Sequence, residues 1–257
     1  MRTLAYILAG GFATRLYPLT LNYPKPLINI CGKSIIDYVL DKVIEITNDI
    51  VILINRRFEN MFKRWSEKWE DINLNFIVEA SMRNEEKLGA IKAVAEALKI
   101  YKAENYIIIA SDNFFTDSLK GMYKLYLNVK KPVVAIYEVD SPEKVKETSC
   151  VEINDEGRIV YFEEKPKRPK SKLIATCIYM MPHKTLIKIY EYLRNNVNPD
   201  NPGYFLRWLI INGEEVYSYK LKGYWIDIGT LETLNEALIK CKEVLEPRPG
   251  FEPGTCR

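Results

Sequence analysis

Short runs of apolar residues recur through the first half of the chain, and each is long enough for one buried strand. Between the first two runs, apolar residues recur at helical spacing over residues 34–47, with Ser34 placed as an N-cap. A second helical pattern runs from Leu88 to Leu98. This alternation predicts a Rossmann-like α/β fold, with a mostly parallel sheet and helices on both faces. The predicted strands of this half cover residues 4–9, 50–54, 74–78, 106–110 and 133–139.

The pattern changes after about residue 140, where short strand candidates are separated by turn signals such as those at residues 154–157. We therefore expect an elaborated, β-rich second half. Since no linker interrupts the sequence, we predict one domain over residues 1–245. Residues 246–257 are rich in Pro and Gly and lack apolar periodicity, so we expect a disordered tail. The predicted elements are strands at 150–153, 158–163, 174–180 and 215–219, and helices at 185–193 and 231–245.

The composition of the chain limits the kinds of molecule that we expect it to bind. The 257 residues carry 37 basic and 34 acidic side chains without a concentrated basic face, so we do not expect a nucleic-acid partner. No apolar run is long enough to span a membrane and the first residues lack a signal-peptide pattern, so we expect a cytoplasmic protein with no membrane partner. With a single histidine and no C-x-x-C pair, the cysteines are expected to be reduced thiols, not a zinc site or a disulfide framework. They are Cys31, Cys150, Cys177, Cys241 and Cys256.

The stretch LAGGFATRLYPLT, beginning at Leu8, offers the parts of a triphosphate site. A strand runs into a small-residue loop, whose backbone N–H groups can approach phosphate oxygens closely. Arg15 then supplies a planar fork that matches phosphate geometry, and Lys25 supplies a mobile point charge. Gly32-Lys33-Ser34 imitates the end of a Walker A loop, but Leu27 occupies the position of its first glycine. A G-x-G-x-x-G fingerprint is absent from the sequence.

This string, followed by YPKPL, resembles the sugar-phosphate nucleotidylyltransferase family, whose pattern is approximately L-A-G-G-x-G-T-R-L-x-P-L-T followed by P-K-P-L. The family includes glucose-1-phosphate thymidylyltransferases, glucose-1-phosphate uridylyltransferases and mannose-1-phosphate guanylyltransferases. The resemblance covers residues 4–238. It is also carried, in the family's order, by Gly32-Lys33, Leu88-Gly89-Ala90, Ser111-Asp112-Asn113, Glu163-Glu164-Lys165-Pro166 and the segment GYWIDIGT at 223–230.

The resemblance implies transfer of a nucleoside monophosphate from a nucleoside triphosphate to a sugar 1-phosphate. Arg15 and Lys25 would be catalytic, and Mg²⁺ would be the cofactor. Asp112 directly follows an apolar strand, at the sheet edge where open α/β sheets bind ligands, and magnesium takes a few carboxylate oxygens besides substrate phosphates. Taken alone, Asp112 and Asp227 each fit a turn or cap role equally well. The resemblance implies that both bind the metal.

The remaining implied contacts concern the two substrates, and the resemblance leaves open whether the chain forms a homo-oligomer. Asn113, Glu164 and Lys165 would bind the sugar phosphate. Gly89 begins a helix whose first amides favour a phosphate or carbonyl oxygen. The base would lie against residues 80–87, where the absence of glutamine shifts the expectation from thymidine toward guanosine or uridine. The implied nucleotide-binding residues are Leu8, Ala9, Gly10, Gly11, Ala13, Thr14, Arg15, Glu86 and Gly89.

Four departures from the family pattern leave an alternative open. Ala13, Ser111 and Cys177 stand where the family has glycine, and Ala90-Ile91 stands where it has Thr-Ala. A non-catalytic regulatory subunit that binds nucleotide sugars would tolerate such changes. Pyrophosphate release separates the two hypotheses.

Overall fold

The computed structural model describes residues 2–195 and 198–245. Within these ranges most strands coincide with the apolar runs of the sequence. In chain order they are β1 (Thr3–Leu8), β2 (Asn29–Ile30), β3 (Lys33–Ser34), β4 (Asp49–Asn55), β5 (Asn73–Glu79), β6 (Asn105–Ala110), β7 (Asn113–Phe115), β8 (Val133–Glu138), β9 (Ser149–Ile153), β10 (Ile159–Glu164), β11 (Leu173–Pro182), β12 (Tyr217–Lys220) and β13 (Trp225–Asp227).

The α-helices of the described residues follow the strands of the first half and then cluster in the last third of the chain. They are α1 (Ile35–Val43), α2 (Glu59–Ser66), α3 (Ala90–Ile100), α4 (Lys120–Val129), α5 (Pro142–Glu147), α6 (His183–Leu186), α7 (Ile189–Arg194), α8 (Pro202–Ile211) and α9 (Leu231–Leu245). In the described part of the chain, none of them is both long enough and apolar enough to cross a membrane.

A nine-stranded sheet runs through both halves of the chain. Its first half has the order β5-β4-β1-β6, and every neighbour there is parallel. Strand β11 pairs antiparallel with β6 and joins the second half, in which β12 is parallel to β8 and the other pairs are antiparallel. The predicted fold class is confirmed, with its parallel region in the first half and its β-rich elaboration in the second.

Both faces of the sheet are covered, because the side chains of β1 alternate between two cores. Ala5 and Ile7 pack in a core with residues of α1, α2 and α4. Leu4 and Tyr6 pack in a second core with residues of α3, α7 and α8. All four residues are at most 2% exposed, as buried parallel strands require.

Helix α1 begins as the sequence predicts. Ser34 forms a capping box with Asp37, whose carboxylate accepts the Ser34 backbone N–H at 2.8 Å. The predicted helix over residues 185–193 is wrong in detail, because two short helices, α6 and α7, occupy this region. The prediction for residues 246–257 lies outside the described residues.

Candidate active site

Strand β1 delivers the chain into the glycine loop. The Ala9 N–H donates to the Leu53 carbonyl at 2.8 Å, which continues the β1–β4 pairing by one residue. Ala13 has φ of 48°, in the left-handed region that favours glycine, and precedes a short 3₁₀ turn over Thr14–Leu16. The Thr20 hydroxyl donates to the Ala13 carbonyl at 2.8 Å. The loop therefore keeps a glycine-like conformation although a Cβ is present.

A cavity of about 500 Å³ opens beside this loop. Of the predicted nucleotide-binding residues, Leu8, Gly10, Gly11 and Gly89 line it, whereas Ala9, Ala13, Thr14, Arg15 and Glu86 do not. Apolar side chains and backbone form most of the wall, as in many pockets for organic ligands. Its other lining residues include Leu53, Ile77, Val78, Glu79, Ala80, Lys87, Leu88, Ala93 and Asp200.

Glu86, a predicted nucleotide-binding residue, and Glu79 both accept hydrogen bonds from residues in or beside the cavity wall. Glu86 is exposed, and its carboxylate accepts the Met82 backbone N–H at 2.8 Å, so it stabilises the loop around it. Glu79 ends β5, is 9% exposed, and accepts hydrogen bonds from the Ser81 hydroxyl and from the Leu88 N–H at 3.4 Å. Glu79 was not predicted as a site residue, although it follows an apolar run directly, as Asp112 does.

The N-terminus of α3 is capped from a distant part of the chain. The Ala90 and Ile91 N–H groups donate to the carbonyls of Asp200 and Pro199 at 3.4 and 2.9 Å. Gly89 has φ of 89°, and a Cβ there would lie 2.6 Å from the Pro199 carbonyl oxygen. These two N–H groups are therefore occupied by carbonyls of the protein itself, and nucleotide binding at Gly89 stays a prediction.

Lys25 and Asp112 meet where β6 ends. Lys25 begins a 3₁₀ turn over Lys25–Leu27, and its Nζ donates to Asp112 Oδ2 at 2.5 Å and to the Ile228 carbonyl at 2.8 Å. The lysine side chain is 12% exposed and the aspartate side chain 26% exposed, so both keep an open side. A half-buried cation and a partly open carboxylate thus form one charged pair at the carboxyl end of the parallel strands.

Asp227 joins this pair through a small two-stranded sheet. Strand β13 pairs with β7 so that Asp227 lies opposite Asn113. Burial and the neighbouring Asp112 charge raise the pKa of Asp227, while Lys25 and Arg15 act in the opposite direction. Among the described residues, the buried Oδ1 of Asp227 has no hydrogen-bond partner.

Arg15 faces the same cluster from the glycine loop. Its guanidinium lies across Gly229, where a Cβ would be 2.9 Å from Nη2. Arg15 is exposed and its charge reaches Asp227. The structure thus brings the two predicted catalytic cations and the two predicted metal ligands together.

Asn113, predicted to bind the sugar phosphate, is buried at the turn between β6 and β7. It is 1% exposed, its Nδ2 donates to the Ala110 carbonyl at 3.0 Å, and its Oδ1 accepts from Trp225 Nε1 at 2.6 Å. Both ends of the amide therefore hold the turn between β6 and β7 against β13. The side chain is thus engaged within the protein, and a role of Asn113 in binding the sugar phosphate stays a prediction.

Glu164 ends β10, and Lys165 follows it. The Glu164 carboxylate accepts from Asn201 Nδ2 at 2.9 Å. Burial raises the pKa of Glu164 to about 7, while Asn201 and Lys165 act in the opposite direction. Lys165 is exposed, has φ of 47°, and donates its N–H to the Thr148 carbonyl at 2.8 Å. Asn201 was missed in the sequence analysis, although an asparagine before a proline is a recognised helix-start signal.

Cys177 and Ser111, two further departures from the family pattern, both fit the structure around them. Cys177 has φ of 57° and lies where the pairing of β11 with β8 shifts register. Ser111 is 3% exposed, and its N–H and hydroxyl both donate to the Leu8 carbonyl, at 3.0 and 2.7 Å. Ser111 therefore ties the ends of β6 and β1 together beside the site. No disulfide joins the cysteines of the described residues.

The chain is similar in sequence to known proteins over most of its length. The family model described as Nucleotidyl transferase matches residues 4–243. The bifunctional protein GlmU of Methanocaldococcus jannaschii is 32% identical over 225 residues, which are 88% of this chain and 51% of that protein, so the chain spans about half the length of this relative. The glucose-1-phosphate adenylyltransferase of Clostridioides difficile is 29% identical, with 95% of this chain and 68% of that protein covered.

The fold is also that of solved proteins. A Bacillus anthracis protein solved in complex with a sucrose superimposes with a TM-score of 0.81 at 24% identity, covering 96% of this chain and 98% of that chain. Given a family-model match that spans nearly all described residues, the chain belongs to the nucleotidyl transferase family.

Proposed function

We propose that the chain transfers a nucleoside monophosphate from a nucleoside triphosphate to a sugar 1-phosphate and releases pyrophosphate. The convergence of Lys25, Asp112, Asp227 and Arg15 beside the glycine-loop cavity carries this proposal. An ionised nucleophile and an ionised electrophile must meet in this reaction. Both substrates carry phosphates, so the two cations can bind them directly, and the two carboxylates can do so through a bound metal ion.

The nucleotide is proposed to bind with its base in the cavity between the glycine loop and residues 79–89, and with its phosphates over Gly10 and Gly11. From there the phosphate chain would reach Arg15, which is exposed, and Lys25, which is held by Asp112. No glutamine is present to read the base, because the chain contains none. Guanosine and uridine nucleotides are therefore the first substrates to test.

The chemical step would be an in-line displacement. An oxygen of the sugar 1-phosphate attacks the α-phosphorus of the triphosphate and forms a new P–O bond. The bond from the α-phosphorus to the α,β-bridging oxygen breaks, and pyrophosphate leaves with the electron pair. Because the nucleophile is already ionised at neutral pH, the protein needs mainly to position it and to stabilise charge. Arg15 and Lys25 would do so at the leaving phosphates.

The family implies a divalent cation, and the residues present fit Mg²⁺. The buried Asp227 Oδ1 lacks a hydrogen-bond partner among the described residues, and Asp112 lies next to it. No group of three or more His, Cys, Asp or Glu converges within residues 2–195 and 198–245. Two carboxylates suit an ion that takes only a few protein oxygens besides phosphates. When bound, Mg²⁺ would supply positive charge that offsets phosphate repulsion and orients the phosphates.

The sugar phosphate is proposed to bind between this cluster and the end of β10. Glu164 would accept hydrogen bonds from ring hydroxyls, and the exposed Lys165 would contact the phosphate. The charged groups needed for turnover are all present, which favours catalysis over the non-catalytic nucleotide-sugar-binding alternative.

The test is pyrophosphate release. Purified protein with Mg²⁺ is mixed with each common nucleoside triphosphate and with glucose, mannose or glucosamine 1-phosphate, and the nucleotide sugar is identified by mass spectrometry. We expect release that requires both substrates with at least one pair. Nucleotide-sugar binding without pyrophosphate release from any pair would replace the proposal with the regulatory role.

A further inference from the structure

The Glu164 carboxylate is held at the N-terminus of α8 by one asparagine. Asn201 Nδ2 donates to Glu164 Oε2 at 2.9 Å, and Asn201 Oδ1 accepts the Gly203 N–H at 2.8 Å. Because the oxygen end of the amide caps the helix, its donor end must face the glutamate. The helix cap and the orientation of Glu164 are thus set by the same side chain.

Gly203 gives the carboxylate the room that it occupies. A Cβ built on Gly203 would lie 1.5 Å from Glu164 Oε1, an impossible approach. Glycine is less favourable than alanine in a helix, so its presence in the first turn of α8 agrees with the need for this close contact. Any larger residue at this position must displace the glutamate.

The segment before α8 also touches the nucleotide cavity. Lys87 Nζ pairs with Asp200 Oδ2 at 2.8 Å, and the Pro199 carbonyl accepts the Ile91 N–H at 2.9 Å. Residues 198–203 therefore run from the cavity wall to Glu164. Their other anchor is the Tyr192 hydroxyl, which donates to the Asn198 carbonyl at 2.7 Å.

We propose that Asn201 and Gly203 are positioning residues that fix the Glu164 carboxylate for the hydroxyl groups of the sugar 1-phosphate. The inference rests on the proposed function, since it needs Glu164 to contact the sugar. Asn201 occupies one acceptor position on Oε2 and holds the carboxylate against the backbone of α8. A carboxylate fixed in this way presents its remaining lone pairs in one direction, which favours a rigid ring with neighbouring hydroxyl donors.

The decisive variant is Asn201→Asp. Aspartate caps helices as well as asparagine does, so α8 keeps its start, but a second carboxylate now faces Glu164. We expect KM for the sugar 1-phosphate to rise about tenfold or more at about pH 8, with kcat and the nucleotide KM within about twofold. At about pH 6 part of the loss should recover, because the facing carboxylates then share a proton.

The other titratable or charged groups around Glu164 are Lys165, Cys177 and Tyr179, and all three are unchanged in this variant. Gly203→Ala should raise the same KM selectively, without the recovery at low pH. Tyr192→Phe is the control, since it releases the same segment at Asn198 without touching Glu164. Its sugar-phosphate KM should stay within about twofold of the parent value.

Calorimetry of sugar 1-phosphate binding to the same proteins separates the two proposals. If the parent protein turns over and both variants keep its sugar-phosphate KM, the positioning role is wrong and the proposed function stands. If the parent protein has no turnover but binds sugar 1-phosphate, weaker binding by both variants supports the positioning role without the reaction. Absence of both turnover and sugar-phosphate binding in the parent, with and without nucleotide present, overturns both.

Discussion

Lys25 Nζ lies 2.5 Å from Asp112 Oδ2, although 87 positions separate the two residues in the sequence. The lysine also donates to the Ile228 carbonyl, one residue after Asp227. It therefore connects three segments: the loop after β1, the end of β6 and the end of β13. The position of this cation therefore depends on all three segments being folded together.

Removing either central carboxylate should abolish most of the turnover. Asp112→Asn and Asp227→Asn keep the side-chain shape but lose the charge, so each should reduce kcat by about two orders of magnitude or more at saturating Mg²⁺. Asp41→Asn, which changes a half-buried carboxylate paired with the exposed Lys33, is the control and should leave kcat unchanged. Near-normal turnover by either central variant would contradict the assignment of Asp112 and Asp227.

Arg15 should require its planar fork as well as its charge. Arg15→Lys keeps the cation but loses the second hydrogen bond to a phosphate, so kcat/KM for the nucleotide should fall about tenfold or more. The matched change at an exposed ion pair, Arg56→Lys beside Glu59, should have no effect on kcat/KM. Equal kcat/KM for the Arg15→Lys protein and its parent would mean that Arg15 is only a surface charge.

Glu164 should make stability fall as pH rises. Burial raises the pKa of this carboxyl from 4.5 to about 7, so the folded state binds its proton more tightly than the unfolded state. The resulting stability is complete below about pH 4.5 and is lost as pH rises through about 7. Glu164→Gln removes this dependence. Relative to the parent, its free energy of unfolding should therefore rise by about 1–3 kcal/mol as pH increases between these limits. Denaturant unfolding of both proteins at about pH 5 and pH 8 measures the difference.

Ala13→Gly tests whether the glycine loop is compromised. The native Ala13 already has φ of 48°, and the Thr20 hydroxyl holds its carbonyl. We therefore expect the nucleotide Kd to stay within about twofold, and unfolding stability to change by less than about 1 kcal/mol, because relief of strain and added chain entropy oppose each other. Ala13→Val is the contrasting variant and should weaken nucleotide binding, since a β-branched residue avoids this region. Tighter binding by the glycine variant would show a compromised native loop.

The parallel half of the fold was predictable because its strands are buried on both faces and therefore appear as continuous apolar runs. Helices α2 and α8 were missed for opposite reasons. Helix α2 is short and mostly polar, and it buries only Phe62. Helix α8 begins with Pro202-Gly203, which resembles a turn, although proline is well tolerated in the first turn of a helix.

The site was predictable where a motif fixes local geometry and hard to predict where contacts come from elsewhere. Asp112 follows a buried strand, and its position at the sheet edge could be inferred from that alone. The role of Asn113 could not, because the Trp225 side chain that engages its amide lies 112 positions away. The capping of α3 by Pro199, and the contact of Asn201 with Glu164 across 37 positions, also join separate parts of the chain.

The pairing of β7 with β13 sets the order in which a newly made chain acquires its chemistry. The parallel strands β1, β4, β5 and β6 all precede residue 111, so the glycine loop and the cavity floor leave the ribosome before β13 does. Asp227 arrives only with β13, well after these strands have been made. A nascent chain that has folded its first half would therefore hold one carboxylate of the pair and stay inactive until the second is delivered.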